Sequence, residues 1–268
     1  MDQKKIDDIF RNIRFGVDYY PEHWPRERWE QDANLMQKMG IQVVRMGEFS
    51  WHKMELEQGK FDFEWLVDAA DLLGQHGIYT ILGTPTAAPP AWIIEQNPEI
   101  LPVNSNGQRM SFGGRHHDCQ SNRTYREHIR RFVTAMAERF KDHPYVIGWQ
   151  IDNELGNSHE DLCMCDSCRK AFQEWLQKKY HTIECLNKEW GTGFWSQDYD
   201  RFDQIPVPRK APTLHNPSLL LDFKRFCSDL VVDFQNFQID LIRQIAPHQK
   251  ITHNMMGFYD KTDYSTHF

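Results

Sequence analysis

The sequence predicts an α/β fold of the TIM (β/α)8-barrel type, with only about the first five βα units present. Three observations carry this expectation. Amphipathic helices recur, each closed by a glycine or a proline and followed by a short β-branched run, the rhythm of a parallel sheet with helical crossovers. Polar residues stand just after these runs, at Asp18-Tyr-Tyr20, Glu48-Phe-Ser50, Thr84-Pro-Thr86 and Asp152-Asn-Glu154, where a barrel gathers its chemistry. A doubly wound sheet would also alternate strand and helix, but no glycine-rich phosphate loop follows any strand here.

Taken in order, Phe15-Gly-Val17 reads as the first strand. Pro25 to Met39 places Trp29, Ala33, Met36 and Met39 on one helical face, Gly40 suits its C-terminal cap, and Ile41 to Met46 follows as a strand. Glu64 to Gln75 repeats the pattern through Leu66, Ala70 and Leu73, closes at Gly77 and releases Ile78 to Leu82. Asn122 caps a helix carrying Ile129, Phe132, Val133, Met136 and Phe140, which Pro144 separates from a strand over Val146 to Ile151. A helix is expected over Arg169 to Tyr180. Asn216-Pro217, an N-cap followed by proline at the first helical position, opens a long helix to Ile245, and Ile251 to Met255 supplies the fifth strand.

Composition narrows the function. Lys+Arg 31 against Asp+Glu 38 gives 31 − 38 = −7, without the basic footprint that nucleic acid requires. A hydrophobic content of 40% with 13% aromatics supports a packed core, and no apolar run approaches the ~18 residues of a membrane span. Met1 to Asp8 contains no hydrophobic signal core, so the expected compartment is the cytoplasm.

Two constellations stand out. Gly148-Trp-Gln-Ile-Asp-Asn-Glu154 presents an amide and a carboxylate together at a strand end. Retaining glycosidases need one carboxyl group to protonate the leaving oxygen and a second about 5–5.5 Å away to attack the sugar carbon. An adjacent Asn can hold the neighbouring sugar hydroxyl. The plainer alternative is a helix-start or salt-bridge pair. Separately, Cys163, Cys165 and Cys168 lie within six residues, and Cys119 is the natural fourth member. Four thiolates suit tetrahedral Zn²⁺ in a closed, structural site. A redox Cys165/Cys168 pair, an iron–sulfur cluster or a catalytic zinc on His116, His117 and Asp118 are the competing uses. Cys185 and Cys227 stand alone and read as small buried hydrophobes.

The motifs together resemble one family. Phe15-Gly-Val-Asp-Tyr-Tyr-Pro-Glu-His-Trp-Pro25 is similar to the opening signature of the glycoside hydrolase family 42 β-galactosidases. Arg45-Met-Gly-Glu-Phe-Ser-Trp51 with Gly59-Lys-Phe-Asp-Phe-Glu-Trp65 resembles their second βα unit. Thr84-Pro-Thr-Ala-Ala-Pro-Pro-Ala-Trp92 resembles the third loop, and Trp149 to Glu154 the fourth strand. The resemblance implies that residues 1–268 are the N-terminal portion of a TIM-barrel catalytic domain that cleaves terminal β-galactosides with retention. It makes Glu154 the acid/base and Asn153 and Arg115 substrate-binding residues, although an arginine paired to a loop carboxylate would explain Arg115 equally. It also implies a structural zinc on Cys119, Cys163, Cys165 and Cys168, and a homotrimer for the full-length enzyme. The family's nucleophile is a seventh-strand glutamate, whereas the last glutamate here is Glu189. The 268 residues therefore read as a fragment with half a catalytic pair, or alternatively as an inactive, zinc-stapled or carbohydrate-binding remnant.

Overall fold

A computed structural model of the chain describes residues 3–156, 162–256 and 262–266. Its strands are β1 (Gly16–Asp18), β2 (Val43–Met46), β3 (Glu55–Glu57), β4 (Lys60–Phe61), β5 (Tyr79–Gly83), β6 (Val146–Gln150) and β7 (Lys250–Thr252). β3 and β4 form a small antiparallel hairpin; the other five make one parallel sheet in the order β1-β2-β5-β6-β7. Neighbours in space are thus neighbours in sequence, as a βα barrel requires. The helices are α1 (Gln3–Phe10), α2 (Arg26–Lys38), α3 (Trp51–Met54), α4 (Glu64–Gln75), α5 (Ala91–Gln96), α6 (Arg123–Phe140), α7 (Asp166–Tyr180), α8 (Ile183–Trp190) and α9 (Pro217–Ile245). None of the described helices is long and apolar enough to cross a membrane.

The chain divides into two compact units. The first comprises residues 1–93, 127–154 and 235–255 and contains the whole parallel sheet. β6 is buried along its full length, while β1, at one edge, is exposed throughout. That contrast explains why Val146 to Trp149 reads as a continuous apolar run with no alternation. The predicted faces are buried at Trp29, Ala33 and Met36 on α2 and at Leu66, Ala70 and Leu73 on α4, but Met39, expected on the same face of α2, follows the helix at its C-cap and is exposed. Gly40 supplies the left-handed step after α2 at φ +77°. Outside the sheet, Trp51 lies 4.7 Å from Phe132, centroid to centroid, and Phe63 meets Phe132 and Phe140 edge-on, arrangements that aromatic quadrupoles favour.

Three of the five parallel strands are shorter than the sequence suggests, and β1 and β5 are shifted by one residue. Ile41 and Ile78 are buried but precede their strands, because the parallel pairing of β2 with β5 begins at Val43↔Tyr79. The fifth strand ends at Thr252, not Met255. Its partner β6 leaves the ladder there: Ile151 N–H donates to the Thr252 carbonyl at 3.0 Å, and Asp152 then turns away at φ +54°. His253 and Asn254 consequently lie past the strand, at the end where polar residues collect.

The second unit comprises residues 94–126, 155–234 and 256–268. Its core joins Phe172 and Leu176 of α7, Leu186 and Trp190 of α8, and Phe223 and Phe226 of α9. Within it the buried Asp222 carboxylate accepts from the Tyr180 hydroxyl at 2.6 Å and pairs with Lys179. α7 begins at Asp166, three residues before the expected start, because the Cys165 sulfur caps it by accepting from Cys168 N–H. Cys227 is buried as expected, whereas Cys185, in the first turn of α8, is exposed. The helical face of α8 is satisfied by Leu186 and Trp190, which leaves position 185 on the outside.

Candidate functional site

In the first unit, the segment after β6 is built by opposing constraints. Asp152 and Glu154 both adopt positive φ, +54° and +51°. For residues with a Cβ this left-handed region costs about 1–3 kcal/mol each, and it persists only where surrounding bonds fix it. Those bonds are present. Asp152 N–H donates to Thr84 Oγ1 at 2.7 Å, and the Asp152 carbonyl accepts from Gln150 Nε2 at 2.9 Å. Asn153 N–H donates to Asp152 Oδ1 at 2.7 Å, and Glu154 N–H donates to Asn254 Oδ1 at 3.1 Å. Asn254 Nδ2 in turn donates to Asn153 Oδ1 at 2.8 Å. The amide and the carboxylate expected from the sequence are therefore brought together, with Asn153 buried and Glu154 half-buried.

A polar network extends from this turn across the ends of the neighbouring strands. Arg45 donates to Gln150 Oε1 at 2.7 Å and pairs with Glu48 at 3.0 Å and Asp18 at 2.8 Å. Tyr20 donates to Glu48 Oε1 at 2.8 Å. Burial pushes the Glu48 carboxyl up, opposed by the Arg45 charge. Burial and the bond to Glu48 push the Tyr20 hydroxyl up to about 12. Gly83 makes this closeness possible: a Cβ there would stand 2.4 Å from Glu48 Cβ.

On the other side, Thr84 donates to Gln238 Oε1 at 2.7 Å, and Thr86 lies between Gln238 and the Asp152 carboxyl. Asp152 is 2% exposed. Burial pushes its carboxyl up to about 6, against lowering contributions from Thr86 and the Asn153 N–H. The strand-end polar residues gave a sequence signal for Glu48, Thr84, Thr86 and Asp152, but not for their partnerships. Gln238, in mid-helix, and Asn254, inside an expected strand, carried no signal.

In the second unit, Cys119, Cys163, Cys165 and Cys168 converge, all buried, with their sulfurs within 4.8 Å of one another. Cys119 Sγ lies 3.4 Å from both Cys165 Sγ and Cys168 Sγ. A tetrahedral Zn–S₄ shell with bonds near 2.3 Å sets its sulfurs about 3.8 Å apart, so the donor set fits that ion in number, element and spacing. The thiols are poor company for each other: bonds to Cys163, Cys165 and Cys168, with burial, push Cys119 well up, while bonds from its neighbours push Cys165 down. A soft divalent cation would favour all four as thiolates. Val103 completes the cluster, and Met164 N–H, between two of the cysteines, donates to the Val103 carbonyl at 2.8 Å. Arg115 lies in the second unit as well, on an exposed bend four residues before Cys119. Of the three alternative metal ligands, His117 is buried and His116 and Asp118 are half-buried; none joins the cysteine group.

A sequential parallel sheet with its polar network past the strand ends is the sheet of a TIM-barrel protein, seen over its first five strands. The profile of glycoside hydrolase family 42, described as beta-galactosidase, matches residues 18–268, and the chain belongs to that family. A curated beta-galactosidase of Thermus thermophilus is 47% identical over 248 residues, covering 92% of this chain and 38% of that protein. The crystal structure of a beta-galactosidase from the psychrophilic Marinomonas ef1 superposes with a TM-score of 0.92 at 45% identity, over 95% of this chain and 39% of the other. That of a polyextremophilic beta-galactosidase from the Antarctic haloarchaeon Halorubrum lacusprofundi gives 0.92 at 44%, over 95% and 38%. The chain thus spans under two-fifths of the length of the relatives it matches.

Proposed function

We propose that these residues supply the acid/base half of a retaining β-galactosidase, with Glu154 as the acid/base. The observation that carries the reading is the turn after β6, where a half-buried carboxylate and a buried amide are fixed side by side, with left-handed backbone at Asp152 and Glu154. Glu154 protonates the departing glycosidic oxygen, then accepts a proton from water as the glycosyl-enzyme is hydrolysed. Asn153 holds the sugar hydroxyl next to the reacting carbon, a contact that strengthens in the transition state. Arg115 binds the sugar. The nucleophile is a glutamate of the family's seventh strand, beyond the last glutamate here, Glu189.

Zn²⁺ is the cation proposed for Cys119, Cys163, Cys165 and Cys168. A four-thiolate shell leaves no position for water, so the ion supplies cross-linking and no chemistry. The family resemblance also carries a cytoplasmic homotrimer, which sedimentation of the intact polypeptide tests.

The decisive experiment for the function is Glu154→Gln in the intact polypeptide. Turnover of an alkyl β-galactoside, whose leaving group needs protonation, falls by about 10²–10⁴-fold. A substrate with an acidic phenol as leaving group loses less in the first step, and azide, which needs no base, accelerates release of the sugar. Unchanged alkyl-galactoside turnover in Glu154→Gln would remove Glu154 from the mechanism.

A further inference from the structure

Asp152 holds its turn with two contacts and no counter-ion. Asn153 N–H donates to one carboxyl oxygen and Thr86 Oγ1 meets the other. Among the described residues no cationic side chain reaches this carboxyl: Arg45 binds the Gln150 amide and pairs with Glu48 and Asp18. Among the described residues, the neighbouring segments carry the titratable groups Tyr20 and Glu48, bonded to each other, Glu154 two residues on, and His253, whose Nδ1 donates to the Ile151 carbonyl at 2.8 Å. An ionised carboxylate at 2% exposure without a cation is a costly species.

The hydrogen-bond inventory makes the same point from geometry. Thr86 Oγ1 stands within bonding distance of both Asp152 Oδ2 and Gln238 Oε1, yet a hydroxyl owns a single proton. Thr84 already gives its own proton to Gln238 Oε1 while accepting from Asp152 N–H. A proton on Asp152 Oδ2 closes the count: Asp152 donates to Thr86, and Thr86 donates to Gln238. The competing arrangement turns the Gln238 amide over, so that its nitrogen faces both threonines and Asp152 stays ionised. That arrangement leaves the Thr84 proton with no acceptor at a fully buried position, whereas the first leaves Gln238 Nε2 without a partner. Burial of the unpaired charge decides between them.

We propose that Asp152 is a positioning residue that works as a neutral carboxylic acid, clamping Thr86 and the Asn153 N–H so that the turn, left-handed at Asp152 and Glu154, holds Asn153 and Glu154 in place. Its role in turnover rests on the acid/base reading of Glu154. A neutral clamp also keeps a second fixed negative charge from standing beside the acid/base.

The test uses three forms of the intact polypeptide. Asp152→Ala removes the clamp, and kcat on an aryl β-galactoside falls by about 10²-fold, the scale of a displacement near 1 Å. Asp152→Asn offers Thr86 a donor and the Asn153 N–H an acceptor at every pH, so it restores kcat to within an order of magnitude of the parent. If Asp152→Asn is as impaired as Asp152→Ala, the carboxylate itself is required and the proposal fails. An independent readout is the infrared difference spectrum, parent minus Asp152→Asn. A protonated-carboxyl C=O band at about pH 5, fading as pH rises to about 8, is expected. Its absence overturns the proposal whatever the activity, with the turned-over amide as the remaining arrangement. If the intact polypeptide hydrolyses no β-galactoside, the acid/base reading falls, and the infrared band still decides the state of Asp152.

Discussion

Gly83→Ala puts a methyl group where β5 meets the segment after β2. The added Cβ would lie 2.4 Å from Glu48 Cβ, 2.8 Å from Glu48 Cα and 3.0 Å from Glu48 N. Carbon atoms in contact sit about 3.5–4.0 Å apart, so the Glu48 backbone must recede by about 1 Å. No flexible side-chain end can absorb that shift, and overpacking of this kind costs about 1–3 kcal/mol. The Glu48 carboxylate also shifts relative to Tyr20 and Arg45, bonded at 2.8 and 3.0 Å, and a charged hydrogen bond is worth about 1.5–3 kcal/mol. Against this, replacing glycine by alanine restrains the unfolded chain and favours folding by about 0.4–1 kcal/mol. The clash wins, with a net loss of about 2–4 kcal/mol. At a few degrees per kcal/mol for a domain of this size, Tm falls by about 10 °C. Gly114→Ala, where a Cβ meets nothing within 4 Å, is the control and keeps or slightly raises Tm. Differential scanning calorimetry of the two variants settles the matter: a Gly83→Ala protein as stable as its parent would refute the close approach of the two strand ends.

Four further outcomes are expected, two at the turn after β6 and two at the cysteine cluster. The Asp152 carboxyl, raised by burial from an ordinary 3.8 to about 6, contributes stability that is complete below the unfolded value and lost as pH climbs through about 6. Asp152→Asn, which has no proton to lose, therefore gains on the parent by up to about 3 kcal/mol between pH ~4 and pH ~8; a difference in Tm that does not change with pH contradicts this. Chelation of a metal at the cysteine cluster lowers Tm by several degrees, since binding free energy is folding free energy. Cys163→Ser lowers Tm likewise and blunts the response to chelator, and elemental analysis finding no zinc in the purified parent would sink the assignment. Thr84→Val removes the acceptor for Asp152 N–H and a donor to Gln238, costing about 1–3 kcal/mol for the buried groups stranded; chemical denaturation reads the loss.

Helical periodicity and punctuation made much of the fold legible. The face of α4, and that of α2 as far as Met36, are the predicted ones, since burial on one side of an amphipathic helix is a local property, whereas Met39 falls beyond the last helical turn. Strand limits were less legible, because pairing depends on the partner: Ile41 and Ile78 carry strand chemistry, yet the ladder begins beyond them. The polar residues after each strand announced where the polar network gathers. What no local pattern could announce is the identity of the partners. Gln238 is 154 residues from Thr84, and Asn254 is 101 from Asn153; either could have been an ordinary surface amide. The cysteines were legible at all four positions because thiol spacing is distinctive, and Cys185 was misjudged because nothing local distinguishes the two sides of so short a helix.

The cysteine cluster has a topological effect as well as an energetic one. Cys119 and Cys165 are 46 residues apart, and the chain between them includes α6, β6 and the turn bearing Glu154. With a cation bound to both, that stretch becomes a closed ring, and Glu154, the residue proposed for proton transfer, sits on its circumference. A ring of this length removes conformational freedom from the unfolded chain much as a disulfide does, by about 4 kcal/mol on the chain-entropy scale. Unlike a disulfide, it survives a reducing compartment and opens to a chelator. A single protease cut within the ring would leave one particle until the cation was withdrawn.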